Sequence, residues 1–141
     1  MASFVKYQQF VEDLGSGVHN LAAAGHTLKV MLSNTAPNVS THAVRADSTE
    51  ISAGNGYTSG GTDIQNDYSQ TSGTGTLTGT DVVFTASGGA IATFRYVILY
   101  NDTPTSPADP LIGYWDYGSA VNLADGESFT VDFGASVLTV A

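Results

Sequence analysis

Three aspartates, Asp102, Asp109 and Asp116, surround a stretch that carries Pro104, Pro107 and Pro110. Two carboxylates held about 5 to 10 Å apart across a groove can hydrolyse a glycosidic bond, one as acid and the other as nucleophile or base. Loop oxygens of this kind also bind calcium, but the regular DxDxDG spacing that does so is absent. Aspartates in turns more commonly accept hydrogen bonds from their own backbone, and these three read that way. His19, His26 and His42 offer imidazoles, yet no HExxH or His-x-His spacing sets two on one face and there is no cysteine, so no zinc site is expected. They read as surface or edge histidines. No GxSxG elbow supports a serine nucleophile. The glycine-rich stretch from Gly54 to Gly61 fits neither the GxxxxGK loop nor a GxGxxG that opens a helix, so no phosphate cradle is expected. The chain is thus expected to have no catalytic residues, no cofactor and no metal.

The aromatic residues make a second cluster. Tyr96, Tyr100, Tyr114, Trp115 and Tyr117 combine apolar area with a polar tip, which suits a sugar or peptide platform. Core and subunit interface, where aromatics are enriched, are the preferred readings. Arg95 lies beside them, and a lone planar guanidinium in an acidic protein can make a bidentate contact across an interface. Arg95, Tyr96, Tyr100, Tyr114 and Trp115 are therefore the candidate interface residues.

Charge narrows the partners. Four Lys and Arg against thirteen Asp and Glu leave a formal charge of -9 over 141 residues. That balance repels a phosphate backbone, so nucleic acid is not an expected partner. No run approaches the roughly 18 apolar residues of a membrane span. Met1 to Phe10 lacks the basic start and apolar run of a secretory signal, so neither membrane insertion nor processing is expected. The length suits one domain with its own core, and the absence of cysteine excludes disulfides.

Two periodicities divide the chain. Phe10, Val11, Leu14, Val18 and Leu21 recur at spacings of three and four, which predicts a helix between Val5 and Leu21, weakened by Gly15 and Gly17. It covers a sheet edge or docks as an arm on a neighbouring subunit. Residues 1–25 thus read as a helical arm and 26–141 as a β-sandwich, one domain overall. After Gly25, short Thr-, Val- and Tyr-rich runs alternate with turn residues, the mark of an all-β fold. Strands are expected at 27–34, 49–52, 63–69, 74–77, 81–86, 90–101, 111–117, 127–133 and 136–140. Hairpins are expected across Ser87-Gly88-Gly89 and at Asp125-Gly126. Together these give an antiparallel β-sandwich, compatible with a jelly roll, behind a short helix.

Residues 90–101 carry the strongest pattern. Phe94, Tyr96, Ile98 and Tyr100 share one face and Thr93, Arg95, Val97 and Leu99 the other, so both faces turn apolar after Arg95. A strand apolar on both sides is covered on both, here by the helix or by another subunit. It is expected to carry more apolar surface than a lone subunit hides.

The runs Phe10-Val11-Glu12-Asp13-Leu14, Leu28 to Pro37, Glu50 to Tyr57, Phe94 to Thr103 and Asp109 to Gly118 together resemble the pattern of a family of small tailed-phage and prophage virion structural proteins. The resemblance covers most of the chain. It implies a non-enzymatic virion protein, made in the host cytoplasm, that self-associates and binds the major capsid protein or another virion protein. A trimer would suit three-fold capsid positions. The leading role it implies is a capsid decoration, or cement, protein; the alternative is a tail- or fibre-associated or receptor-binding module.

Overall fold

Short alternating runs between glycine-rich turns fold here as antiparallel ladders. The structure, a computed structural model, describes residues 3–141. Strands take 45% of the chain and helix 8%, which makes it all-β. The elements are β1 (Phe4–Lys6), α1 (Gln8–Gly15), β2 (Leu28–Ser33), β3 (Thr62–Asp63), β4 (Asp67–Thr71), β5 (Thr74–Thr78), β6 (Val82–Thr85), β7 (Ile91–Asn101), β8 (Leu111–Leu123), β9 (Ser128–Val131) and β10 (Leu138–Val140). A five-stranded sheet runs β1-β8-β7-β2-β3, a three-stranded sheet β10-β5-β4, and β6 pairs with β9.

The main core lies where these sheets face one another. Leu28, Val30 and Leu32 of β2, Val97 and Leu99 of β7, and Ile112 and Trp115 of β8 meet Leu77 of β5, Val82 and Phe84 of β6 and Val131 of β9. In β6 the alternation is clean: Val82 and Phe84 are buried while Val83 is exposed. Phe94 joins the same core although Tyr96 does not, because the β7–β8 register shifts on either side of Phe94. A bulge of this kind re-aims side chains relative to simple alternation.

The expected helix between Val5 and Leu21 is shorter than its pattern. Its start is taken by β1, whose Val5 pairs with Tyr114. Its end is set by Gly17, which takes φ +79° while its N–H donates to the Leu14 carbonyl at 3.3 Å and Val18 N–H donates to Asp13 at 2.9 Å. This is the Schellman arrangement that closes helices at a left-handed glycine. Phe10 and Leu21 are buried in the main core of the same chain.

Other departures share one cause, since alternation sets faces but not partners. Residues 49–52 form no strand and contribute only an isolated bridge between Ser33 and Glu50. The expected 63–69 strand breaks at Gln65, which has φ +52°. No hairpin forms across Ser87-Gly88-Gly89 or at Asp125-Gly126; β6 and β9, which flank those turns, pair with each other. β8 runs on through Gly118 to Leu123 instead of ending at Tyr117.

The second face of β7 is closed by the chain itself. Met31, Ile98, Tyr100 and Leu111 pack with Tyr7, and Val39 and Tyr114 flank them. Tyr7 N–H donates to Ile112 and Gln8 N–H to Val39, both at 3.0 Å, which fixes the β1–α1 junction over this face. The expectation of surplus apolar surface on residues 94–100 is therefore corrected: Tyr96 is 8% exposed and Val97 to Tyr100 at most 1%.

Candidate functional site

The five candidate interface residues divide by depth. Trp115 is buried in the main core, its ring centroid 5.1 Å from Phe4 and 5.6 Å from Phe133. Tyr100 is buried on the opposite face of the sheet, its hydroxyl donating to the Gly60 carbonyl at 2.6 Å. Tyr96 packs against Tyr114 with centroids 6.2 Å apart. Arg95 lies 5.4 Å from the Tyr96 ring and donates from Nε and Nη2 to Asp116 at 2.8 and 3.2 Å. The structure thus gathers Arg95, Tyr96 and Tyr114, and sets Tyr100 and Trp115 into the interior. The bidentate contact expected of Arg95 across an interface is instead made within the chain, to Asp116. That guanidinium, together with the Gly118 N–H, holds the Asp116 carboxyl below its ordinary value.

The aspartates near the prolines are also occupied. Asp102 pairs with Lys29 at 3.1 Å and Asp109 with Arg45 at 3.9 Å. Arg45, Glu50 and Asp109 border a surface pocket of about 310 Å³. Burial, and then Asp102, raise the Asp109 pKa. Burial also raises Glu50, but hydrogen bonds from Tyr57, Arg45 and Gly60 outweigh it and leave that carboxyl below its ordinary value. Carboxylates whose pKa values are pushed apart are a mark of acid–base chemistry. Here the donors decide otherwise. Oε1 accepts from Arg45 at 2.7 Å and Ser59 at 3.5 Å, and Oε2 from Tyr57 and Gly60 N–H, both at 2.6 Å. A carboxylate has about four lone-pair sites, so Glu50 has none left to offer a substrate. It clamps the 45–60 loop to the sheet.

Sequence reasoning missed Glu50, Arg45, Asn66 and the histidine cluster. His19 is buried, not a surface histidine, and its Nδ1 lies 3.0 Å from the Asn101 amide nitrogen. The signal available was scarcity: with four cations in the chain, each one that can pair is worth following. Lys29, Arg45 and Arg95 all do so. Among the described residues Lys6 is the cation with no ion pair. No group of three or more His, Asp and Glu able to hold a metal occurs among them either, and no helix is long and apolar enough to cross a membrane.

Lys6 borders a groove of about 630 Å³ between β1 and β10, which are edge strands of two different sheets; Phe4, Val5, Phe10, Val137 and Leu138 also line it. Tyr7 N–H donates to Ile112 in continuation of the β1–β8 register. Hydrogen bonding alternates along an antiparallel strand, so Val5 turns its backbone groups to β8 while Phe4 and Lys6 turn theirs outward. An outward-facing edge of this kind is a template for another strand. Among the described residues Lys6 is the one titratable side chain in the lining.

Comparison of the chain with family models, with curated proteins and with solved structures finds no match.

Proposed function

We propose that the chain is a virion structural protein that acts by adhesion, in its most specific form a decoration protein that binds a capsid surface and stabilises the contacts between capsomers. The observation that carries this reading is the outward-facing edge of β1 beside the mixed polar and apolar groove that separates it from β10. Its occupant is an extended segment of a neighbouring virion protein, with apolar residues toward the half-buried Phe4 and Leu138 and an acidic residue opposite Lys6. Added as a strand, that segment satisfies the outward N–H and C=O groups of Phe4 and Lys6, each bond contributing about 0.5–1.5 kcal/mol. Small contributions of this size become large when repeated over a symmetric shell. The resemblance over most of the chain supports the virion location, and no chemical step enters the function.

The test is co-sedimentation of the purified chain with particles assembled without it. The native chain is expected to bind. Lys6→Pro removes one outward N–H at an edge position where proline is tolerated, so it should fold normally and lose binding. Failure of the native chain to bind overturns the virion role, and undiminished binding by Lys6→Pro overturns the edge as the contact.

A further inference from the structure

Residues 16–27 connect α1 to β2, and two buried asparagines hold this loop. Asn66 donates to the Leu21 carbonyl at 2.9 Å and to the His26 carbonyl at 3.2 Å, and accepts the Leu28 N–H at 3.2 Å. Asn101, at the end of β7, accepts the Thr103 N–H on Oδ1 at 3.2 Å. That bond sets the orientation of the amide and points its nitrogen at two imidazoles: His19 Nδ1 at 3.0 Å and His26 Nδ1 at 2.9 Å. An amide nitrogen only donates, so both ring nitrogens accept. His26 Nδ1 also takes the Asn20 N–H at 3.1 Å. Each Nδ1 therefore presents a lone pair rather than a proton, and the buried Nε2 of His19 has no hydrogen-bond partner.

We propose that His19, Asn101 and His26 form an acid-released latch, in which the two Nδ1 acceptors hold the 16–27 loop, and through it α1, against the sheet. Protonation turns Nδ1 from an acceptor into a donor that faces the amide's own donors. Flipping the amide would offer Oδ1 to one charged ring, but it would set the NH₂ group against the Thr103 N–H.

The surroundings oppose a charge on His19. Its ring is buried and packs on Phe10 with centroids 5.2 Å apart. Asp13 of α1 favours the charged form and His26 disfavours it, but burial is the largest influence, and the pKa falls to about 4. Asp102, next to Asn101, is engaged by Lys29 at 3.1 Å. A histidine whose folded-state pKa lies below its unfolded value of 6.5 contributes fully above that value. The contribution is lost as pH falls toward 4, at up to about tenfold in the opening equilibrium per pH unit for one proton. The loop also borders an open groove that reaches Leu14 and Tyr68, and its opening draws Leu21 out of the main core.

Amide hydrogen exchange of residues 17–27 at about pH 7 and about pH 4.5, corrected for intrinsic rates, tests the latch. Protection of this loop should drop at least tenfold at the lower pH while β7 changes less. Asn101→Asp, whose carboxylate accepts from charged rings, should keep the loop protected in acid. The double variant His19→Asn with His26→Asn places an untitratable acceptor near each Nδ1 and should abolish the loop's pH dependence. Equal protection of the native loop at both pH values overturns the proposal, as does an unchanged drop in the double variant. Neither result bears on binding to a particle.

Discussion

Tyr57 donates to Glu50 at 2.6 Å while its hydroxyl oxygen accepts the Leu32 N–H at 3.1 Å, so one phenol ties the glycine-rich loop both to its own carboxylate and to β2. Tyr57→Phe removes both bonds and leaves a buried N–H without a partner. A loss of about 1–3 kcal/mol follows, visible as a lower urea midpoint with an unchanged slope. An unshifted midpoint would show that the loop is held by other contacts.

Glu50 gives the fold an acid sensitivity of definite sign. Its carboxyl lies below the ordinary value of 4.5, so its contribution is complete above that value and is lost as pH falls through the depressed one. Glu50→Gln should lower stability near neutral pH by about 1–3 kcal/mol and flatten the decline on acidification. Urea unfolding of both proteins between about pH 3 and 7 measures this. Parallel curves would contradict it.

Trp115 belongs to the interior, so truncating it should act on folding. Trp115→Ala removes the contacts to Phe4 and Phe133 and should cost about 3–5 kcal/mol, with Trp115→Phe milder. Equilibrium unfolding of the isolated chain tests this. Full stability of the alanine variant would return Trp115 to the list of interface residues.

How far the sequence announces this structure depends on the reach of each interaction. The buried Val82 and Phe84 beside exposed Val83 are legible, because two-residue alternation is local. So is the double apolar face of β7. Its covering layer was legible only in part: the N-terminal segment was one of two expected covers, but Tyr7 at the β1–α1 junction and Val39 in a segment without periodicity supply it. Pairing of β6 with β9 is invisible for the same reason: alternation aims side chains without naming the neighbour. The asparagine–histidine cluster was missed because its partners are far apart in the chain, as with Asn101 and His19, and the Glu50 clamp because its nearby partners Arg45, Tyr57 and Gly60 follow no periodicity. Of the candidate site, the nearness of Arg95 and Tyr96 was foreseeable from one strongly patterned strand, while Tyr114 joins them from β8 through a pairing that spacing does not give. The β1–β10 groove was not foreseeable, since it joins the two ends of the chain.

Gly61 occupies a position where no side chain fits. Its φ is +78°, and a Cβ there would sit 1.8 Å from the Val30 carbonyl oxygen. Gly61→Ala must push β3 from β2 or unfold the loop, with an expected loss above about 2 kcal/mol. Thermal unfolding decides this, and an unchanged midpoint would contradict the close approach of the two strands.

The adhesive virion role is tested most directly by counting copies of this chain in gradient-purified particles from cells that produce it, by quantitative mass spectrometry against the major shell protein. A decoration protein should be present in hundreds of copies, in a fixed ratio to the shell. Absence of the chain from purified particles would contradict the account, and a handful of copies would move it from the shell to the tail.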